Sequence, residues 1–193
     1  MYKKIVSYLV FSLFTPLVAL CADDPSRARL YIPVSTNATI ENCATCEIKA
    51  SGYSARYVFG FGLGLGIASS KASVSGDPDM PDYSYDSGPM IDIGYTFGSD
   101  FTFTLGLGVG SSPSTDQKNP SDSTYKIEGK SASTSFLGLG YSFGSIEILL
   151  ALRNSSAKFD ESYNISVLGM SFAASYANEY KWQTTDIGIG FTF

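Results

Sequence analysis

Phe59-Gly-Phe-Gly-Leu-Gly-Leu-Gly-Ile-Ala-Ser-Ser70 recurs without a gap, 42 residues downstream, as Phe101-Thr-Phe-Thr-Leu-Gly-Leu-Gly-Val-Gly-Ser-Ser112. A second phrase appears three times: Ile91-Asp-Ile-Gly-Tyr-Thr-Phe-Gly98, Leu137-Gly-Leu-Gly-Tyr-Ser-Phe-Gly144 and Ile187-Gly-Ile-Gly-Phe-Thr-Phe193. Both phrases alternate with period two. Leu, Ile and aromatic residues fall on one face; Gly, Ala, Ser, Thr and an occasional acid fall on the other. That period belongs to strands, because successive side chains of a strand point to opposite faces.

Working outward, the connections alternate in length. Tight turns are expected at Gly98-Ser99, at Gly144-Ser145 and near Ala55-Arg56. Long polar segments, Lys71–Asp86, Pro113–Lys130 and Ala157–Tyr180, separate them and are rich in loop residues. Strands are expected near 29–38, 47–54, 57–69, 88–97, 100–111, 132–143, 146–156 and 181–193. This sums to an all-β fold, an eight-stranded antiparallel up-and-down β-barrel. Its first hairpin, about 28–54, has the weakest alternation.

The parity of charge decides what the outer face meets. Asp92 and Asp186 lie on the small-residue face. On the seventh strand the phase shifts: Ile146, Ile148, Leu150 and Leu152 share the apolar face, with Glu147 and Arg153 opposite. A charge facing lipid at mid-membrane costs about 2–4 kcal/mol for Arg or Lys, so this parity is that of a transmembrane barrel. Lys181 alone has outward parity. It lies twelve residues before Phe193, a climb of roughly 28 Å at strand rise and tilt, which places it at the rim. Tyr95, Phe97, Phe101, Phe103, Tyr141, Phe143, Phe191 and Phe193 gather at the short-turn ends as an interfacial girdle.

Composition narrows function. The chain has 193 residues, 13 Lys+Arg, 18 Asp+Glu and no His. Without His there is no Ser–His, Cys–His or zinc–His chemistry. The acidic balance argues against nucleic acid as a partner. Residues 1–21, with Lys3, Lys4 and the apolar run Ile5–Leu20, read as a cleaved export signal. Residues 22–193 are then the barrel domain. Cys43-Ala-Thr-Cys46 reads as a disulfide in an exported protein. Asp77, Asp79, Asp82 and Asp86 offer hard oxygens but fit no calcium-loop spacing, so no metal and no cofactor is expected.

The last strand carries a resemblance. Asp186, Gly188, Phe191 and the terminal Phe193 match the pattern by which bacterial outer-membrane barrels are recognised by the barrel-assembly machinery. With the export signal and the eight-strand pattern, the chain resembles small outer-membrane β-barrel proteins of the OmpA/OmpX type. That resemblance implies a bacterial outer-membrane location, lipid and the assembly machinery as partners, and a monomer.

Two inner-face sites follow from parity. Arg153 and Asp186, on adjacent strands at similar heights, are expected to meet in the lumen, with Glu147 below and Asp92 across. This group either ties the barrel shut or gates it. The inward glycines, Gly60, Gly62, Gly64, Gly66, Gly106, Gly108, Gly110, Gly138, Gly140, Gly188 and Gly190, must leave their space to water or to larger groups. Tyr83, Tyr85, Tyr125, Tyr163 and Tyr176 stand as loop anchors for an extracellular ligand. The expected role is non-enzymatic, structural or adhesin-like. The alternatives are a narrow porin-like channel for small solutes and a soluble periplasmic barrel holding an apolar ligand.

Overall fold

The computed structural model describes residues 25–37, 46–76, 81–117, 125–167 and 170–193. It is all strand: β1 (Arg27–Asn37), β2 (Glu47–Val58), β3 (Leu63–Ser75), β4 (Tyr83–Asp86), β5 (Met90–Phe97), β6 (Phe101–Gly110), β7 (Ser114–Thr115), β8 (Lys126–Phe143), β9 (Ile146–Val167) and β10 (Met170–Thr192). Strands β1, β2, β3, β5, β6, β8, β9 and β10 pair antiparallel in sequence order, and β10 closes on β1. The eight-stranded up-and-down barrel expected from the sequence is therefore the fold. Closure of β10 on β1 leaves the ring without a terminal edge strand.

The pairing is sheared. One circuit perpendicular to the strands runs Arg27, Val58, Gly64, Gly94, Gly106, Phe136, Arg153, Thr184 and returns to β1 at Thr36. Such a stagger tilts the strands and sets the barrel radius. The inner width is then what eight strands allow, enough for side chains to fill.

The first hairpin corrects the sequence reading. β2 continues to Val58, and the turn lies at Phe59–Gly62, not near Ala55-Arg56. Phe59 N–H donates to the Leu63 carbonyl and Gly62 N–H to the Phe59 carbonyl, both at 2.8 Å. Gly62 adopts φ of +91°, which a residue with a Cβ rarely takes. Gly60 and Gly62 thus belong to the turn rather than to the lumen wall.

The long connections are also more regular than expected. β8, β9 and β10 run on well above the barrel, and Ala157–Val167 pairs with Met170–Tyr180 as a continuous ladder instead of a loop. The absence of proline after Pro120 permits this, because nothing removes a ladder donor there, and pairing between the two segments makes it strand. By contrast, Pro33 accompanies a register shift in β1, and the β1–β2 ladder stops at Tyr31 and Ser54. Short strands β4 and β7 add to the upper part of β3. Together these segments form an extension above the barrel.

Outward Leu, Ile, Val and Phe side chains remain exposed all round the ring: Leu30 and Ile32 on β1, Leu65 and Ile67 on β3, Ile91 and Ile93 on β5, Leu105 and Leu107 on β6, Ile148 and Leu150 on β9, and Ile187 and Ile189 on β10. Phe101, Tyr141, Phe143, Phe191 and Phe193 are exposed at the short-turn end. Lys181 is exposed at the upper rim and pairs with Glu179 at 3.1 Å. The export segment 1–21 lies outside the described residues.

Candidate functional site

The inside of the barrel is charged and full. Its lower tier is built on Arg29 of β1, which reaches across the lumen. Arg29 Nε donates to Glu147 Oε2 at 2.8 Å and Nη2 to Glu147 Oε1 at 2.7 Å. Nη2 also donates to Thr102 Oγ1 at 2.9 Å, and Nη1 to Thr104 Oγ1 at 2.8 Å and Thr96 Oγ1 at 3.2 Å. All five guanidinium N–H groups are thereby engaged. Arg27 stands 3.6 Å from the same carboxylate and donates to the Ser99 carbonyl at 3.0 Å. Glu147 has no exposed surface.

The upper tier joins four strands. Arg153 Nε donates to Asp186 Oδ2 at 3.0 Å, and Arg153 Nη1 lies 3.4 Å from Asp92 Oδ2. Arg56 of β2 donates to the same Asp92 oxygen at 2.9 Å, and its guanidinium lies over the Phe136 ring at 3.7 Å from the centroid. Ser54 donates to Asp92 at 3.2 Å and Thr184 to Asp186 at 2.6 Å. Parity and adjacency thus bring Arg153, Asp186 and Asp92 together as the sequence suggests. Glu147 lies below them, as expected from the sequence, but its partners are Arg27 and Arg29 and not the Arg153 group.

The sequence reading missed the three arginines of the first hairpin. Arg56 was masked by the turn expected at its own position. Arg27 and Arg29 carry a signal, since both share parity with Tyr31 in Arg-Ala-Arg-Leu-Tyr-Ile, but their partners lie across the lumen and not on a neighbouring strand.

The inward glycines make room for these groups. A Cβ on Gly106 would collide with the Phe136 ring, one on Gly64 would come within 2.9 Å of the Arg56 side chain, and one on Gly190 would meet Glu147. The space that glycine vacates goes to the large side chains of the two tiers.

Above the tiers the extension has its own core. Trp182 Nε1 donates to Ser70 Oγ at 2.7 Å. Ala72, Val74, Tyr83, Tyr85, Ala157, Phe159 and Trp182 pack together, with Tyr180 against them. Tyr85 stacks on Tyr180 at 3.8 Å. Tyr83 and Tyr85 are therefore buried inside the extension rather than offered to a partner, a correction to their reading as loop anchors. Beyond this core sits Glu161, nearly fully buried. It accepts hydrogen bonds from Asn178 and Tyr180 at 2.8 Å each and from Tyr125. Burial by itself raises the pKa of this carboxyl, but the hydrogen bonds from Tyr125, Asn178, Tyr176 and Tyr180 outweigh it and hold the group below the usual carboxylate range. Burial, with the Glu161 charge added, pushes the Tyr180 hydroxyl up to about 12.

The remaining expectations are placed as follows. Gly188 abuts Tyr31, and Phe191 and Phe193 face outward at the lower rim. Cys46 is disulfide-bonded; Cys43, its expected partner, lies outside the described residues, as do Asp77 and Asp79. Asp82 is exposed, and Asp86 accepts the Gly88 N–H at 2.8 Å.

No protein-family model matches the chain, and no curated protein matches it. Solved structures do. The outer membrane protein OprG from Pseudomonas aeruginosa shares 16% identity over 88% of this chain and 96% of its own, with a TM-score of 0.52. The outer membrane protein AlkL, solved in DMPC lipid bilayers, shares 12% identity over 88% of this chain and 90% of its own, with a TM-score of 0.49. The likeness to OprG identifies the fold as that of a small outer-membrane β-barrel. It does not single out the OmpA/OmpX type that the last strand suggested.

Proposed function

We propose that the chain is an integral, non-enzymatic protein of a bacterial outer membrane. Its barrel is a closed anchor, and its function is exercised by the extension on the outer side. The observation that carries this reading is the double tier of buried arginine–carboxylate pairs across the lumen. Arg29 spans it at one level, and Arg56, Arg153, Asp92 and Asp186 fill it at the next. The aromatic core above closes the same axis a third time. The lumen group therefore acts as a structural tie, not as a gate.

Lipid is the partner of the exposed apolar belt, which also disfavours a soluble barrel. Asp186, Gly188, Phe191 and Phe193 serve as the assembly signal on a cleaved, monomeric product, and Cys43 pairs with Cys46. The experiment is planar-bilayer recording of the purified, refolded protein, with outer-membrane fractionation and heat-modifiable gel migration to establish the folded barrel. The expected trace is flat. Stable unitary conductance would overturn the anchor reading in favour of the narrow channel.

A further inference from the structure

The outward face changes character on one sector of the ring. Two rungs of paired residues cross β6, β8, β9 and β10 there. The lower is Leu107, Ser135, Asn154 and Gln183; the upper is Val109, Ser133, Ser156 and Lys181. Along each rung the side chains pass from branched apolar to small hydroxyl and then to amide or ammonium. Gln183 and Lys181 stand ten and twelve residues before Phe193, climbs of roughly 23 and 28 Å at strand rise and tilt. The rungs thus cross the level at which an apolar band of about 25 Å ends.

The small serines between larger neighbours leave a hollow. A groove of about 630 Å³ lies over both rungs, and Lys181 is among the residues that line it. A second groove, of about 680 Å³, shares Leu107, Ser135, Asn154 and Gln183 with the first. It continues toward the short-turn end over Leu105, Leu137 and Leu152. The upper groove offers polar groups. The Ser133 and Ser156 hydroxyls share a hydrogen bond of 2.9 Å. Gln183 Nε2 donates to Asn154 Oδ1 at 3.0 Å, which leaves the Asn154 N–H groups as donors. The Lys181 side chain is 70% exposed although Glu179 lies 3.1 Å away. Lys158, also exposed, sits opposite Glu179 on the next rung. The upper lip therefore carries two ammonium groups and one carboxylate.

We infer that this sector holds a membrane lipid with a net anionic phosphate headgroup. The phosphate lies against Lys181 and the Asn154 amide, and an acyl chain follows the groove over Leu105, Leu137 and Leu152. A hydrocarbon without a headgroup would leave the donors of the upper groove unmet. A soluble phosphate ester would leave the lower groove empty. The excess positive charge of the lip selects an anionic headgroup over one that brings its own cation.

This rests on the barrel lying in a membrane with its apolar belt in hydrocarbon. The two readings fail separately, because fractionation and heat-modifiable migration report on insertion, and labelling reports on position around the ring. The probe is phosphatidylglycerol with a diazirine midway along one acyl chain, diluted into phosphatidylcholine nanodiscs that hold the full-length protein. Photolabelled residues are mapped by peptide mass spectrometry. Label is expected to concentrate on Leu105, Leu137 and Leu152 over Leu30 of β1 and Ile67 of β3 on the far wall. Lys181→Gln should lower that labelling about fivefold, and Lys181→Arg should retain it. Lys130→Gln should leave it unchanged, since Lys130 is engaged with Glu128 and Asp160 outside the groove. Ser135→Leu fills the hollow and should spread the label around the belt. Unaltered heat-modifiable migration shows that each variant is folded. Even labelling of the whole belt overturns the inference. So does equal labelling of the groove by a diacylglycerol carrying the same diazirine, which would make it a site for apolar chains alone. Displacement of the label by free glycerol phosphate overturns it in favour of a soluble ester.

Discussion

Glu147 concentrates the risk of this fold in one side chain. It is the carboxylate for Arg27 and Arg29 in a lumen without exposed surface at that level. Glu147→Ala leaves both guanidinium groups buried and under-compensated, and should cost about 3–5 kcal/mol in urea unfolding from detergent micelles. Replacing Arg29 and Glu147 together by Met should recover a large part of that loss, because two apolar groups of similar volume need no ion partner. A double variant no better than the single one would mean that the pair is not a unit. Gly106 makes the complementary case for space. Gly106→Val drives a side chain into the Phe136 ring and should destabilise by about 1–3 kcal/mol, with Phe136→Leu restoring part of it in the same assay.

At the scale of elements, the repeat that reveals the strands also hides a turn. Phe59-Gly-Phe-Gly62 and Phe101-Thr-Phe-Thr104 occupy equivalent positions in the repeat, yet the first turns and the second is strand. The difference is the residue type. Gly62 can take a positive φ, while Thr102 and Thr104 stay extended and aim their hydroxyls at Arg29. Gly62→Thr should therefore cost about 1–2 kcal/mol through backbone strain, read as a lower urea midpoint with an unchanged slope.

The extension offers a second test at this scale, through pH. Glu161 has its folded pKa depressed below the ordinary 4.5. Its contribution to stability is complete above that value and disappears as pH falls through the folded pKa. Trp182 is the chain's only tryptophan and is buried in the extension's core, so its emission reports on this region. Acidification from pH 5 downward should shift Trp182 emission to the red, and Glu161→Gln should remove that titration while leaving the barrel's heat-modifiable migration intact. An unchanged acid transition in the variant would assign the shift to other carboxylates.

At the scale of the whole molecule, one lattice of paired strands carries two opposite distributions of polarity. The lower ring exposes Leu, Ile, Val and Phe outward and encloses ions. The extension exposes Lys181, Glu179, Lys130 and Asp160 outward and encloses aromatics. On the proposed membrane reading, the inversion follows from what would lie outside each part, hydrocarbon below and water above. Removing one arginine from each lumen tier, as Arg29→Ser with Arg153→Ser, opens space in both but leaves Arg27, Arg56 and the aromatic core of the extension in place. The double variant should therefore still give a flat planar-bilayer trace. Channel activity in it would show that Arg29 and Arg153 seal the barrel and the extension's core does not.

The sequence by itself determined the strand period, the number of strands in the ring, the antiparallel order and the apolar face that is turned outward. These depend on alternation along single strands and on parity of charge, which are local properties. It also determined that Arg153 and Asp186 approach each other, since they sit on neighbouring strands at similar heights. Only the tertiary structure decided that Glu147 pairs with Arg29 instead of joining the Arg153 group, and that Asp92 serves both Arg56 and Arg153. Those contacts cross the lumen, and their partners depend on the shear of the closed barrel, which no single strand encodes. It likewise decided that Ala157–Val167 and Met170–Tyr180 are ladder and not loop. A Ser- and Asn-rich segment without proline can do either, and pairing with an equally uninterrupted neighbour tips it to strand.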